Sequence, residues 1–375
     1  MASQVFVFGS GDCGQLGLGD EVWEASRPIM NPFFNDKSIV QVAAGGLHSL
    51  ALSENGQVFS WGCNDEKALG HDGPEFAVGQ VEGLPPIVQI ACGDSISAAL
   101  DRDGHVWTWG TFRDSKGLLG HSPVGDVESR PCRLEALKGV QRIAAGSNHL
   151  IALLQDGTVY AWGSGEQGQL GRRILERHKR ATSLRPTNVT PREGRSPVLI
   201  GGIACGAYHT LFLAGNGHVF SSGLNNHGQL GQGDLVERVN ADLIDDRVWQ
   251  GERILALSAG EHHSLALSSA GHVFAFGRND SGQCAIPGHE DGILKPMMIA
   301  GLEGITQISS GSNHNLAVDA NNNIYSWGFG EMHQLGHGSD TDSPVPQLIS
   351  SLQSPQGRTR QVSAGGQHSI VLVTH

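Results

Sequence analysis

Residues 144–163 read AAGSNHLIALLQDGTVYAWG and contain each feature of a repeat that runs through the whole chain. The stretch opens with two small residues and a glycine, Ala144–Gly146, and continues through His149 into an apolar run. An Asp-Gly turn then leads to Val159–Gly163, where small or branched residues alternate with aromatic ones. Alternation with a period of two beside an Asp-Gly turn predicts a β-hairpin.

Two markers of this stretch occur seven times each. The corner glycines are Gly45, Gly93, Gly146, Gly206, Gly260, Gly311 and Gly365. Aromatic-Gly pairs end at Gly9, Gly62, Gly110, Gly163, Gly223, Gly277 and Gly328, with Ser222 replacing the aromatic residue once. Six corners precede their marker by 17 residues, and a third marker, Gly-Gln-Leu-Gly, follows at 14–17, 168–171 and 228–231. A strand-rich repeat of roughly 50 residues indicates a propeller or a solenoid.

The two ends of the sequence favour the propeller. Val5–Gly9 is an aromatic-Gly strand without a corner before it, and Gly365–Val373 is a corner hairpin without such a strand after it. Pairing the two completes a seventh repeat, whereas a solenoid would leave two open sheet edges. We therefore expect an all-β, seven-bladed β-propeller, closed by pairing the N-terminal strand with the C-terminal hairpin, with residues 1–375 in one domain.

Composition narrows the function classes. The chain is 39% hydrophobic despite 53 glycines, which indicates a folded, turn-rich domain. No apolar run has membrane-spanning length, so we expect a soluble, intracellular protein without a membrane partner. The six cysteines form no Cys-x-x-Cys pair, which predicts reduced thiols. No motif joins a nucleophile to a base, so we expect no hydrolase, no small-molecule substrate and no cofactor.

Histidine marks six of the seven corners. These residues are His48, His149, His209, His263, His314 and His368, and the corner of the second repeat has Ile96 instead. One histidine per blade cannot converge on the close tetrahedral geometry of a zinc site. We therefore expect structural histidines and no bound metal.

The second repeat departs from the pattern again in its next loop. Asp94 follows its corner glycine directly, and the loop after Gly110 reads TFRDSKG, with an apolar residue and three charges where other repeats have glycine, asparagine and glutamate. A repeat that breaks its own pattern indicates a functional site.

Four stretches carry a resemblance to a known family: FGSGDCGQLGLG, WGCNDEKALG, WGTFRDSKG and GSGEQGQLGR. Together with the seven corners, they resemble the regulator of chromosome condensation family over essentially the whole chain. Members of that family are seven-bladed propellers that act as guanine-nucleotide exchange factors for the small GTPase Ran. The resemblance implies accelerated GDP/GTP release from Ran without bond-making chemistry. The superfamily also includes ubiquitin-ligase modules and a plant UV-B photoreceptor, so a propeller scaffold without exchange activity is the alternative.

The resemblance also implies site residues. Asp94, Asn148 and His262 correspond to positions involved in exchange. The positions implied to contact the GTPase are Asp12, Arg172, Asn226 and a wedge formed by Phe112, Arg113, Asp114, Ser115, Lys116, Gly117, Leu118 and Leu119. Asn148 departs from the family pattern, which resembles Gly-Asn-Asp-His where this chain has Gly-Ser-Asn-His. The amide keeps the hydrogen bonding of a carboxylate but loses its charge.

A basic insertion at about 172–197 is the longest interruption of the repeat. Between Arg172 and Arg195 it has eight basic residues against Glu176 and Glu193, in a chain whose net charge is −12. A solvated loop and an arm for DNA or acidic protein surfaces both fit this composition. The family resemblance favours the second interpretation, because members of the family have a nucleosome-binding loop in the same blade.

That resemblance assigns Arg177, Lys179 and Arg180 to chromatin and implies a nuclear, chromatin-associated protein. The cytoplasm is the alternative location, because Met1–Gln4 leads into the first strand without the basic tail usual in the family.

Overall fold

The computed structural model describes residues 3–352 and 357–374 and contains seven four-stranded antiparallel sheets. The chain begins with β1 (Ser3–Ser10) and β2 (Glu24–Met30). Blade 1 contains β3 (Ile39–Ala44), β4 (His48–Ser53), β5 (Val58–Gly62) and β6 (Gly79–Val81). Blade 2 contains β7 (Ile87–Cys92), β8 (Ile96–Asp101), β9 (Val106–Gly110), the separate hairpin β10 (Phe112–Asp114) and β11 (Gly117–Gly120), and β12 (Glu128–Arg133).

The remaining blades follow in order. Blade 3 contains β13 (Val140–Ala145), β14 (His149–Leu154), β15 (Val159–Gly163) and β16 (Thr187–Asn188), with helix α1 (Lys179–Ser183) before β16 and a hairpin of β17 (Arg192–Glu193) and β18 (Ser196–Pro197) after it. Blade 4 contains β19 (Ile200–Cys205), β20 (His209–Ala214), β21 (Val219–Gly223) and β22 (Arg238–Leu243). Blade 5 contains β23 (Ile254–Ala259), β24 (His263–Ser268), β25 (Val273–Gly277) and β26 (Ile293–Met298). Blade 6 contains β27 (Ile305–Ser310), β28 (His314–Asp319), β29 (Ile324–Gly328) and β30 (Ser343–Leu348), and β31 (Arg358–Ala364) and β32 (His368–Thr374) end the chain. Short 3-10 helices lie at Pro32–Phe34, Glu176–His178, Asp246–Trp249 and Ser350–Leu352.

Blade 7 closes the ring as predicted. Its strand order is β2-β1-β32-β31, and β1 pairs with β32 from Ser3 opposite Thr374 to Gly9 opposite His368. Both ends of the chain thus share one sheet, so the seven-bladed propeller is confirmed. Among the described residues, no helix is both long and apolar enough to cross a membrane. All six cysteines are free thiols.

Strand register places the corners and the marker loops on one face. In blade 3, His149 at the start of β14 pairs with Gly163 at the end of β15. The corner before His149 and the loop after Gly163 therefore lie at the same end of the blade, and the other blades repeat this pairing. We call this end of the propeller the corner face and the other end the opposite face.

The corner histidines link neighbouring blades. His149 Nε2 lies 2.9 Å from Thr210 Oγ1, and the Thr210 hydroxyl donates to the carbonyl of Gln169 at 2.8 Å. Because the hydroxyl donates its proton to that carbonyl, its oxygen accepts in the contact with His149, and Nε2–H of the histidine is the donor. The other five histidines make the same type of contact with the next blade at 2.7–2.8 Å. Their predicted structural role is confirmed.

The link between blades 2 and 3 is apolar instead. Ile96 occupies the histidine position of blade 2, and Leu150 occupies the position of its hydroxyl partner in blade 3. Both belong to one buried cluster with Phe112 and Trp162. The wedge hairpin β10–β11 starts at this interface, so the missing histidine and the unusual loop lie side by side.

The corner glycines are required by close packing around the axis. A Cβ on Gly146 would lie 2.2 Å from the carbonyl oxygen of Gly206, and one on Gly206 would lie 2.3 Å from that of Gly260. Real Cβ atoms do not approach so closely. Each corner backbone thus rests on the next, which fixes the relative height of the corner side chains on the corner face.

Candidate functional site

Backbone hydrogen bonds hold each marker loop beside its corner. The amide after the aromatic-Gly marker donates to the carbonyl before the corner histidine position, as Ser164 does to Asn148 at 2.7 Å and Arg278 does to His262 at 2.9 Å. The same bond joins Thr111 to Ser95 at 2.8 Å. The side chains of Asn148 and His262 are therefore positioned next to the loops of the corner face.

The wedge hairpin is anchored by its apolar ends. Phe112 is fully buried, and its ring lies against Gly163, where a Cβ would come within 2.9 Å of Phe112 Cδ1. Leu119 at the other end is also buried, whereas Leu118 is 47% exposed. Phe112 and Leu119 hold the hairpin in the propeller, and the segment from Arg113 to Leu118 presents the surface that a partner could contact.

The three residues expected to act in exchange meet the wedge in one cleft. The cleft has a volume of about 520 Å³ and is lined by Asp94, Asn148 and His262 from the corners and by 113–115 from the wedge. Asn148 Oδ1 accepts a hydrogen bond from the backbone amide of Arg113 at 2.8 Å. Residues far apart in sequence thus form one continuous surface, in which the amide of Asn148 supports the wedge backbone.

Asp94 lies where the cleft meets the central axis. The residue is exposed to solvent, and it lies among the corner backbones that line the axis, where a Cβ on Gly46 would come within 2.6 Å of Asp94 Oδ1. Desolvation by these neighbours is the largest influence and raises its pKa, with Glu261 adding charge repulsion and a hydrogen bond with Ser147 acting in the opposite direction.

His262 is part of an aromatic group on the far wall of the cleft. Its ring stacks on Tyr208 with centroids 5.4 Å apart and lies 5.1 Å from the ring of His227. Burial, followed by the positive charge that His227 and Arg278 would add, lowers the pKa of His262 to about 4. The imidazole is therefore neutral at physiological pH and contributes a flat, weakly polar surface.

The remaining predicted contact residues lie outside the cleft. Asp12 and Asn226 are exposed on the corner-face loops of blades 7 and 4. Although partial burial raises the pKa of Asp12, hydrogen bonds from Gln15 and Ser10 lower it overall. Arg172 points into the protein, where it donates to the carbonyl of Thr182 at 2.7 Å and so holds the C-terminal end of α1.

The basic insertion is divided between the two faces. Its first part, with the 3-10 helix Glu176–His178 and α1, lies on the corner face beside the wedge, while Arg177 is exposed. The hairpin β17–β18 lies on the opposite face, since Glu193 contacts His218 in the turn between β20 and β21 at 3.1 Å. Lys179 pairs with Asp114 and Glu166, and Arg180 pairs with Asp126. The assignment of Arg177, Lys179 and Arg180 to chromatin stays a prediction.

The structure adds cleft residues that the sequence did not reveal. Glu166 and Tyr208 line the cleft, and Glu66 forms an ion pair with Arg113 of the wedge. Glu166 and Glu66 lie in loops of the repeat, where acidic residues are usually solvated, so nothing in the sequence distinguishes them from ordinary surface residues. Tyr208 had a detectable signal, since it is an aromatic residue directly before a corner histidine, as His262 is.

Comparison with known proteins gives the family. A model of the RCC1-like domain matches residues 4–371. The chain belongs to the RCC1-like family. The human Regulator of chromosome condensation is 34% identical to this RCC1-like chain, with 98% of this chain and 90% of the relative covered. The Guanine nucleotide exchange factor SRM1 of Saccharomyces cerevisiae is 32% identical, with 98% and 86% covered.

A solved structure and a further relative complete the comparison. The RCC1-like chain superimposes on Prp20p of Saccharomyces cerevisiae with a TM-score of 0.91 and 32% identity, covering 100% of this chain and 92% of that one. That structure was described together with the binding of Prp20p to Gsp1p and histones. The Ultraviolet-B receptor UVR8 of Arabidopsis thaliana is 33% identical, with 97% and 80% covered. Members of the family thus have different functions.

Proposed function

We propose that this protein is a guanine-nucleotide exchange factor that accelerates nucleotide release from the small GTPase Ran. The observation that carries the proposal is the cleft in which the wedge meets Asp94, Asn148 and His262. Similarity over nearly the whole chain to a relative named as a guanine-nucleotide exchange factor supports it.

Exchange of this kind requires no bond-making chemistry. An exchange factor binds the nucleotide-free GTPase more tightly than the loaded form, and by linkage it weakens nucleotide binding by the same factor. Segment 113–118 would displace the phosphate-binding region of the GTPase, because most of its residues are exposed where the hairpin leaves the interface between blades 2 and 3. The carboxylates of Asp94 and Asp12 would contact basic groups of the GTPase on the same face. Neutral His262 and Tyr208 would provide a flat surface at the far side.

The direct test is release of fluorescent GDP from purified Ran with catalytic amounts of the protein. We expect faster release from Ran and an unchanged rate with Ras, which serves as the control GTPase. A folded protein that leaves the rate for Ran unchanged would contradict the proposal. The alternative, a propeller scaffold without exchange activity, predicts that result and would then be pursued by pull-down.

The proposed partners also include the nucleosome, with a nuclear, chromatin-associated location. The exposed basic residues beside the wedge, including Arg177, support this part of the proposal, because Lys and Arg side chains on one surface favour phosphate or acidic protein partners. Prp20p, described with its histone-binding properties, supports it as well. A binding assay with reconstituted nucleosomes at two salt concentrations tests it.

A further inference from the structure

A basic residue of the insertion has its partners inside the protein. Lys179, the first residue of α1, places its Nζ 2.8 Å from Asp114 Oδ2 of the wedge and 2.5 Å from Glu166 Oε1 of blade 3. The Lys179 side chain is 11% exposed, and that of Asp114 is 6% exposed. One ammonium group therefore joins two carboxylates that are mostly removed from water.

Glu166 also contacts the tip of the wedge. It accepts hydrogen bonds from both the backbone amide and the hydroxyl of Ser115, each at 2.8 Å. Although burial raises the pKa of Glu166, hydrogen bonds from Lys179 and Ser115 lower it overall. The carboxylate remains charged at physiological pH and can hold the ammonium group and the wedge tip together.

A second contact holds the segment that follows the wedge. Arg180 places a guanidinium nitrogen 2.7 Å from Asp126 Oδ1, and its Nε donates to the carbonyl of Ser122 at 3.2 Å. Lys179 and Arg180 thus contact the chain on both sides of β11. Neighbouring residues of α1 reach the wedge and the loop that returns from it.

The helix itself is fixed to the propeller. Leu184, directly after α1, is buried in the same apolar cluster as Phe112, and Arg172 binds the carbonyl of Thr182. A helix of five residues has little stability of its own, so these tertiary contacts must maintain it. The ammonium group of Lys179 is therefore presented from a defined position.

We propose that Lys179 is a positioning residue that sets the wedge in its active orientation, so that part of the basic insertion serves exchange. This inference rests on the proposed exchange function. Removing the ammonium group would leave the carboxylates of Asp114 and Glu166 facing each other with little water between them. Their repulsion would displace the wedge tip, and a displacement of about 1 Å can reduce a rate by about a hundredfold.

The test compares Lys179→Met with Lys179→Arg and a matched control. Methionine keeps much of the length of the side chain but has no charge, whereas arginine keeps the charge. Arg185→Met makes a similar change at an exposed position of the same segment. We expect Lys179→Met to lower the kcat of GDP release from Ran by tenfold or more, with a smaller change in KM and in the melting temperature. Lys179→Arg should recover much of the rate, and Arg185→Met should match the unchanged protein.

Amide hydrogen exchange gives a readout that does not depend on GTPase activity. In Lys179→Met we expect faster exchange at 114–118 and unchanged exchange in the blade strands. If Lys179→Met released GDP from Ran at the wild-type rate and its wedge amides kept wild-type protection from hydrogen exchange, the inference would be overturned. If the unaltered protein fails to act on Ran, the proposed function fails, and protection of the wedge still decides the positioning role. If Lys179→Met does not fold, Glu166→Gln takes its place in the experiment. An unchanged rate of hydrogen exchange at the Ser115 amide of that variant would overturn the inference.

Discussion

Ile96 and Phe112 belong to one apolar cluster at the interface between blades 2 and 3. A histidine at position 96 would face Leu150, which has no hydroxyl group to accept its Nε2–H. Burying a donor without an acceptor is costly, whereas an isoleucine there contributes to the apolar cluster that contains Phe112. The isoleucine that replaces the histidine thus forms part of the apolar site that anchors Phe112 of the wedge.

Replacing Phe112 with alanine should therefore remove the anchor. Because the ring is fully buried, we expect Phe112→Ala to lower the free energy of unfolding by about 3–5 kcal/mol. Chemical denaturation measures this loss. Leu118→Ala is the matched comparison, since Leu118 is exposed, and it should change stability by no more than about 0.5 kcal/mol while slowing exchange. Equal stability losses in the two variants would refute the distinction between anchor and contact surface.

Asp94 should affect exchange without affecting the fold. Its backbone amide donates to the carbonyl of Ser147 at 2.8 Å, and this bond survives when the carboxylate is removed. A hydrogen bond to a charged group contributes about 1.5–3 kcal/mol, so we expect Asp94→Ala to slow exchange by about tenfold or more with an unchanged melting temperature. An unchanged rate of GDP release would exclude Asp94 from the site.

At the scale of elements, the basic side chains of α1 and of the residues before it fall into two groups, one paired and one exposed. Lys179 and Arg180 are paired with carboxylates of the wedge region and blade 3, whereas Arg177 is exposed next to them. A deletion of 177–180 would remove both groups together. Separate substitutions are needed to measure chromatin binding and exchange independently.

Replacing Arg173 and Arg177 with alanine makes that separation. Both residues are exposed, so we expect the double variant to bind nucleosomes more weakly and to show a shallower dependence of affinity on salt, with GDP release from Ran unchanged. The measurement is a salt titration of nucleosome binding with the unaltered protein in parallel. Undiminished affinity with the original salt slope would show that the chromatin partner binds elsewhere.

The sequence predicted strands better than it predicted contacts between loops. Constant spacing between corner glycines and aromatic-Gly pairs was sufficient to predict seven blades, because a period of two and a fixed interval are local properties. The pairing of Lys179 with Asp114 joins two loops whose lengths differ from those of other blades, so no repeat constrains it. The candidate site residues of the corner face were predicted from the resemblance, and Tyr208 could have been found from its position before a corner histidine, whereas Glu166 required coordinates.

At the scale of the whole molecule, the ring depends on six histidines that must remain neutral. Burial lowers the pKa of His149, His314 and His368 to about 3, that of His48 and His263 to about 4, and that of His209 well below its usual value. In the unfolded chain they titrate near 6.5. Because the folded pKa values are depressed, the unfolded state takes up protons first, and stability is lost as the pH falls below 6.5.

Acid should therefore unfold the propeller at unusually mild pH. From pH 7 to pH 5.5 each neutral histidine costs about 1.3 kcal/mol of stability, or about 8 kcal/mol for the six, against a typical total of about 5–15 kcal/mol. We expect a steep fall of the free energy of unfolding in this interval, measured by denaturant titration at a series of pH values. His149→Gln, whose amide can still donate to Thr210, should show a slope smaller by about one proton. A free energy that stays constant from pH 7 to pH 5.5 would mean that the histidines take up protons in the fold at the same pH as in the unfolded chain.

The pairing of β1 with β32 also has a consequence for biosynthesis. β1 leaves the ribosome about 360 residues before its partner strand β32. At typical translation rates of about 5–20 residues per second, the apolar side chains of Val5, Val7 and Phe8 wait roughly 20 to 70 s for β32. Throughout that interval the nascent chain displays an unpaired strand edge to the cytosol. An unpaired apolar strand edge promotes aggregation, and a chaperone that covers β1 during synthesis would prevent it.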